Sequence, residues 1–201
     1  TTLFRSDCVS QAILELLKEM PTLHLNIEEK VMTPLLNDLL AGVVDVVVGR
    51  VGGRALELPL SYRVLYTEPV CFVARPDHPL AQKSRLSWAD LSPWRWIVWP
   101  TGTPIRLSID NALVDNGVML PENTIESASM NVTSNLLQSS DMVSILSLRL
   151  AQRYAAQHQL AILNLPRIEQ KGSVGVFWRK SEAPSLALSR FLHCLSLQSS
   201  L

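Results

Sequence analysis

The stretch Thr33–Arg50, TPLLNDLLAGVVDVVVGR, constrains the fold most. Thr33 is a residue type that caps helix N-termini, and Pro34 suits the first helical position because its missing N–H would find no partner there. Leu35, Leu36, Leu39 and Leu40 then make one apolar stripe of a short helix. Gly42 supplies the stop, where a left-handed residue is needed. Beyond it the period changes. Residues 43–48 are a β-branched run interrupted only by Asp45, which predicts a strand buried on both faces. Helix, glycine and buried strand make half of a parallel α/β unit, and the rest of the chain must cover that strand.

The remaining periodicities supply the cover. Val9, Ala12, Ile13, Leu16, Leu17 and Met20 predict an amphipathic helix capped by Ser6 or Asp7 and stopped at Pro21. Leu23, Leu25 and Ile27 alternate with polar residues and predict a strand, as do Leu56–Tyr66 and Pro69–Ala74. Arg75-Pro76-Asp77-His78-Pro79 has no periodicity and reads as a crossover. A second α/β block follows, with strands at Trp96–Trp99, Thr124–Ser127, Met142–Leu146 and Leu160–Leu165. Helices between them begin after Thr103, near Asn131 and at Leu148. Ser173–Arg179 predicts a last strand and Pro184–Leu197 a last helix. Alternating strands and helices imply largely parallel sheets in two lobes, with a ligand cleft beyond the carboxyl ends of the strands.

Composition narrows the function classes. The 201 residues suffice for one large domain or two small ones, and 47% hydrophobic with 18% charged residues describes an ordered globular chain. A formal net charge of zero argues against nucleic acid as the main partner of this segment. Cys8, Cys71 and Cys194 are odd in number and share no CxxC spacing, so no disulfide framework is expected and a cytoplasmic setting is. No signal-peptide pattern opens the chain and no apolar run approaches a membrane span, so no membrane partner is expected. The start is abrupt, and a strand preceding the first helix would lie outside the chain. His24, His78, His158 and His193 share no ligand spacing; neither a glycine-rich phosphate loop nor a Gly-x-Ser-x-Gly elbow occurs. No metal, cofactor or catalytic role is expected.

Leu39-Leu40-Ala41-Gly42-Val43-Val44-Asp45 followed by Val73-Ala74-Arg75-Pro76-Asp77-His78-Pro79-Leu80-Ala81 and Trp88-Ala89-Asp90-Leu91 resembles the effector-binding (substrate-binding) domain of LysR-type transcriptional regulators. Pro100-Thr101-Gly102-Thr103-Pro104-Ile105-Arg106 is similar to the group of galactose-binding-protein regulators. The resemblance implies an α/β fold of two Rossmann-like subdomains, type 2 periplasmic-binding-protein-like, joined by two crossovers. Residues 1–73 with 167–201 would form subdomain I and 74–166 subdomain II. It further implies a small-molecule effector in the cleft and a homodimer or homotetramer, with the first long helix and the Leu23–Ile27 edge strand as the dimer face. DNA would be bound only through an N-terminal winged helix-turn-helix domain absent from this chain. Leu146-Ser147-Leu148 departs from the family's glycine-containing turn. A stand-alone periplasmic-type solute-binding protein is the alternative.

Chemistry points to an anion site at helix N-termini, whose free N–H groups and partial positive charge favour carboxylates. Ser6, Thr33, Thr103 and Ser129 stand at four such starts, and the resemblance places the equivalent turns at the inducer cleft; each hydroxyl could equally do no more than cap its own helix. Thr101 and Gly102 precede the third start. Arg106, a cation near a positive helix end, either clamps an anionic ligand or is solvated or bridges the lobes. Arg50 ends the first buried strand and either faces the cleft or pairs with Glu57 or Glu68. Met32 and Met130 flank capping residues, as an apolar ligand wall or as core. Asp45 is read as a buried carboxylate that accepts backbone N–H bonds or pairs with an arginine.

Overall fold

The 3.6-residue periodicity of the first segment becomes helix α1, Cys8–Glu19, with Cys8, Ala12 and Leu16 buried one turn apart. The computed structural model describes residues 8–165, 172–180 and 184–199, so the expected cap at Ser6 or Asp7 lies outside the described residues. The chain divides into two units, Thr1–Thr67 with Ser173–Leu201 and Glu68–Gly172. None of the described helices is long and apolar enough to cross a membrane.

The first unit holds α1, α2 (Met32–Ala41), β1 (Val46–Val51), β2 (Leu60–Glu68, up to Thr67), β8 (Gly172–Arg179, from Ser173 on) and α6 (Leu186–Ser199). Its three described strands are ordered β1-β8-β2, with β1 antiparallel to β8. Consecutive residues of β8 serve opposite faces. Val176 packs with Ala12, Leu16, Phe191 and Leu195 of α1 and α6. Phe177 packs with Leu36 and Leu39 of α2. β8 is thus the strand more deeply buried on both faces; the Val43–Val48 run is covered on both faces less fully, Val46 and Val48 packing with the first group and Val47 with the second, and it starts late: Val43 is exposed and β1 begins at Val46. Residues 23–31 form no ladder with described residues, and Leu25 and Ile27 are exposed, so the expected strand there is not found. Leu56 closes a short 3-10 helix, Gly53–Leu56, and the strand follows only at Leu60.

Helix α2 also begins earlier than expected. Val31 occupies the cap position with no side-chain cap bond, Met32 is the first helical residue, and Thr33 is exposed. Pro34 is still tolerated because first-turn N–H groups have no intrahelical acceptor. Gly42 ends the helix at φ 77°, with its own N–H donating to Leu39 O and that of Val43 to Asp38 O. There the Arg179 guanidinium donates to Leu39 O (2.9 Å) and Val44 O (2.7 Å) and pairs with Asp45 (3.2 Å). Asp45 thus pairs with an arginine, although it is exposed instead of buried.

The second unit contains β3 (Val70–Ala74), β4 (Trp96–Val98), α3 (Pro104–Asp115), β5 (Ile125–Glu126), α4 (Met130–Gln138), β6 (Val143–Ser147), α5 (Leu148–Ala156) and β7 (Ala161–Ile162). The sheet order is β5-β4-β6-β3-β7. The β4–β5 and β4–β6 pairs are parallel, whereas β3 is antiparallel to both β6 and β7. A largely parallel sheet was expected. Pairs linked through α3 and α4 obey that rule, because a helical crossover returns the chain in the same direction. β3 follows β2 without a helix and escapes it, and it lies in the second unit although the expected boundary fell after residue 73. Phe72, Trp96 and Ile145 face α3 through Ile105, Ile109 and Leu113. Their neighbours Val73, Ile97 and Leu146 face α4 and α5 through Leu137 and Ala151. Full burial of each such side chain contributes about 1.5–3 kcal/mol.

Candidate functional site

Helix α4 starts where Ser129 turns extended, at φ −85° and ψ 112°, and its hydroxyl accepts the Val132 N–H at 3.4 Å. Ser127 Oγ accepts the Ser129 N–H (3.1 Å), and the Ser127 N–H donates to Val98 O (3.0 Å), so the turn is tied to β4. The N–H groups of Met130 and Asn131 are left without an intrahelical acceptor, at the positive end of the helix dipole.

The start of the helix, with Met130, borders a shallow depression of about 190 Å³, its open mouth included. The turn and helix contribute Ser127, Ala128, Ser129, Met130 and Thr133. The strands contribute Val98 and Trp99 from the end of β4, and Ser144 and Leu146 from β6. None of these side chains ionises. The Trp99 ring N–H donates to Ile145 O (3.1 Å) and Ser144 Oγ donates to Ile97 O (2.8 Å), which fixes both walls. Thr133 is only 4% exposed, and its hydroxyl makes no hydrogen bond with a described residue.

Helix α3 starts in the same way with a different result. Thr103 Oγ1 accepts the Arg106 N–H (3.4 Å) and donates to Pro100 O (2.8 Å); Pro104 stands at the first helical position. Gly102 at φ 83° makes the preceding turn, a conformation that disfavours a Cβ. Arg106 Nε binds Asp110 Oδ1 at 2.7 Å, and its Nη1 binds Glu126 Oε1 at 2.8 Å and Trp99 O at 3.2 Å. The Thr101 hydroxyl donates to the same Glu126 oxygen at 2.9 Å. With a side chain 11% exposed, Arg106 finds the anions it needs within its own chain. The Arg106 guanidinium, and then the Thr101 hydroxyl, hold the Glu126 carboxyl below the usual carboxylate range.

The residues nominated from sequence therefore fall into groups. Ser129 and Met130 line the depression. Thr101, Gly102, Thr103 and Arg106 form the α3 start, joined to β5 through Glu126. Met32, Thr33 and Arg50 belong to the first unit. Met32 fills core there: its sulfur lies over Gly49, where an added Cβ would come within 2.7 Å. Arg50 lies in β1 opposite Val174 of β8. Ser6 lies outside the described residues. Sequence reading missed Thr133, Ser127 and Ser144. The available signals were the four-residue step from Ser129 to Thr133 and a serine, Ser144, inside the apolar β6 run. Ser147 was read only as a departure, yet it caps α5 by accepting the Leu150 N–H. Of the three tryptophans before α3, Trp96 is core, Trp94 packs edge-on against His78, and Trp99 walls the depression. Burial pushes the Cys71 thiol up to about 12, which leaves it a poor nucleophile.

The family described as LysR substrate binding domain matches residues 1–198. The HTH-type transcriptional regulator GbpR of Azospirillum brasilense is 27% identical over 175 residues, covering 87% of this chain and 51% of GbpR. Among solved structures, the CcmR regulatory domain of Synechocystis in complex with 2-PG is 20% identical with a TM-score of 0.81, covering 95% of this chain and 90% of that one. The effector-binding domain of QuiR in complex with shikimate is 13% identical with a TM-score of 0.81, covering 96% and 90%. These likenesses carry the type 2 periplasmic-binding-protein-like α/β fold. The chain spans about half the length of the curated relatives it matches. Its residues 1–198 place it plainly: the chain belongs to the LysR substrate-binding domain family.

Proposed function

We propose that this chain is the effector-sensing part of a LysR-type transcription regulator and that it takes a small carboxylate metabolite at the N-terminus of α4. The observation that carries the reading is the uncharged depression at that terminus, lined by Met130, whose N–H stands free of the helix ladder as a first-turn group. Helix N-termini bind anions through such N–H groups, and an apolar wall with a few fixed polar groups suits a small organic acid. The CcmR regulatory domain is in complex with 2-PG and the QuiR effector-binding domain with shikimate, the second a hydroxylated carboxylate. The depression holds no ionisable side chain to act as acid, base or nucleophile, which fits sensing and not catalysis. Relatives such as GbpR are named transcriptional regulators, so a stand-alone solute-binding protein has no support among them. In the whole protein, DNA would be engaged through a winged helix-turn-helix segment outside this chain, in a cytoplasmic homodimer or homotetramer. The effector must bind one arrangement of subunits better than another, since equal affinity shifts nothing.

Thermal unfolding of the chain with benzoate, shikimate, 3-hydroxybenzoate, galactose and inorganic phosphate tests the reading. A carboxylate at about 100-fold excess over its Kd should add roughly 2.7 kcal/mol to stability. Response to galactose alone, or to no carboxylate, overturns the α4 assignment.

A further inference from the structure

We propose that Thr133 is a specificity-determining residue that selects a hydroxylated carboxylate over its unhydroxylated analogue. The inference rests on the carboxylate reading above and adds the second half of the ligand.

Each serine hydroxyl around the depression makes at least one hydrogen bond with a described residue; the threonine hydroxyl makes none. Ser127 Oγ accepts the Ser129 N–H, Ser129 Oγ accepts the Val132 N–H, and Ser144 Oγ donates to Ile97 O. Thr133 is 4% exposed, it borders the depression, and its hydroxyl has no hydrogen-bond partner among the described residues. The other buried serines show how unusual this is, since Ser134 donates to Asn131 O and Ser144 to Ile97 O. The Thr133 oxygen is not sealed from solvent: it opens onto the depression, where a bound molecule would meet it.

The placement defines that partner. Thr133 is one turn along α4 from the Ser129 cap and shares its face, so a molecule seated on the first-turn N–H groups meets the hydroxyl next. A threonine hydroxyl donates one bond and accepts others, so it matches a ligand hydroxyl, which does both. The remaining wall is Val98, Trp99, Met130 and Leu146, which suits a carbon skeleton. No lysine, arginine or histidine lines the depression to balance a second negative charge. The geometry thus describes a monocarboxylate carrying a hydroxyl on a small carbon frame. A site built to bond a ligand hydroxyl rejects the analogue lacking it far more strongly than an apolar pocket distinguishes one methylene.

Matched probes test this: 3-hydroxybenzoate against benzoate, and shikimate against cyclohexenecarboxylate. Their Kd values are measured calorimetrically on the native chain and on Thr133→Val and Thr133→Ser. The native chain should favour the hydroxylated member of at least one pair by about tenfold or more. Thr133→Val should reduce that ratio to within about twofold of unity while leaving the unhydroxylated member's Kd within about threefold. Thr133→Ser should restore the ratio. Unliganded Thr133→Val should melt close to the native temperature, because the hydroxyl it removes bonds no described residue and the side-chain volume is kept; this separates lost recognition from lost folding. If carboxylates bind without hydroxyl preference, or if Thr133→Val keeps the preference, this proposal is wrong and the α4 carboxylate site stands. If no carboxylate binds, both fall.

Discussion

Two helices of the second unit, α3 and α4, begin with a hydroxyl residue whose oxygen accepts the third backbone N–H at 3.4 Å, Thr103 from Arg106 and Ser129 from Val132. Both follow a strand of the same sheet. Around α3, Pro104 removes one free N–H, and Arg106 draws Asp110, Glu126 and the Trp99 carbonyl into one network. Around α4 no charged side chain approaches the depression, and two first-turn N–H groups and the Thr133 hydroxyl remain uncommitted. The cap is the same; its electrostatic surroundings leave the α3 start committed within the chain and the α4 start open, as the proposed ligand site requires.

Removing the brace should have the largest effect. Arg106→Ala leaves two carboxylates and a carbonyl without their shared donor. Breaking a buried pair from one side costs 3–5 kcal/mol, but Asp110 and Glu126 are 42% and 46% exposed, so water recovers part of it. A loss of about 2 kcal/mol in urea unfolding is expected. A midpoint that stays put would mean that α3 is not braced by this network and that the two starts are alike.

Trimming the caps sharpens the contrast. Thr103→Ala and Ser129→Ala should each cost about 1 kcal/mol of stability, since each removes one cap bond of the same length. Their effects on ligand should diverge. Ser129→Ala frays the turn proposed to hold the carboxylate and should weaken 3-hydroxybenzoate severalfold, whereas Thr103→Ala should leave its Kd within about twofold. Equal weakening would make the α3 start part of the site.

How much of this was legible follows from the range of each interaction. Helices with apolar periodicity and a proline or hydroxyl start were readable, because both signals lie within one turn. The glycine stop at Gly42 was readable for the same reason, but Asp45 was not fully so, because its partner Arg179 is 134 residues away. The direction of β3 depends on which distant strand it pairs with, and no local pattern encodes that. Nor does any pattern announce that Gly49 faces Gly175 across the ladder, where an added Cβ on Gly175 would meet Arg63 O at 2.8 Å. At the site, Ser129 and Met130 stood out as a helix start. Arg106 looked like a free cation because Glu126, twenty residues on, comes beside it only after β4 and β5 pair. Thr133 carried only the four-residue step from Ser129, since an uncommitted hydroxyl is visible only once its neighbours have taken theirs.

The smallest expected effect is on pH, and it separates a third helix start from the other two. His78 caps the 3-10 helix Pro79–Gln82: its Nδ1 accepts the Leu80 N–H at 3.0 Å, and its Nε2 lies 3.2 Å from Asp141 O. A carbonyl only accepts, so Nε2 carries the proton and Nδ1 the lone pair, and the buried ring is neutral. Burial holds its pKa below the ordinary 6.5, with Arg75 adding to that and the Asp141 carbonyl and charge opposing it. The unfolded chain then binds the proton first as pH falls, so stability is full above 6.5 and declines below it, through the folded pKa. Glu126 at the α3 start acts later, its contribution being full above the ordinary 4.5 and lost as pH falls below that. The α4 depression has no titrating wall, so the Kd for 3-hydroxybenzoate should stay flat from pH 8 to 6 while the urea midpoint begins to fall toward the end of that range. His78→Asn keeps an acceptor for the Leu80 N–H and removes the titration, so it should flatten the midpoint's slope between pH 7 and 5 even as it lowers stability throughout. An unchanged slope in that variant would assign the linkage to another group, and a ligand affinity that tracked the slope would mean that the α4 start is coupled to an ionising side chain after all.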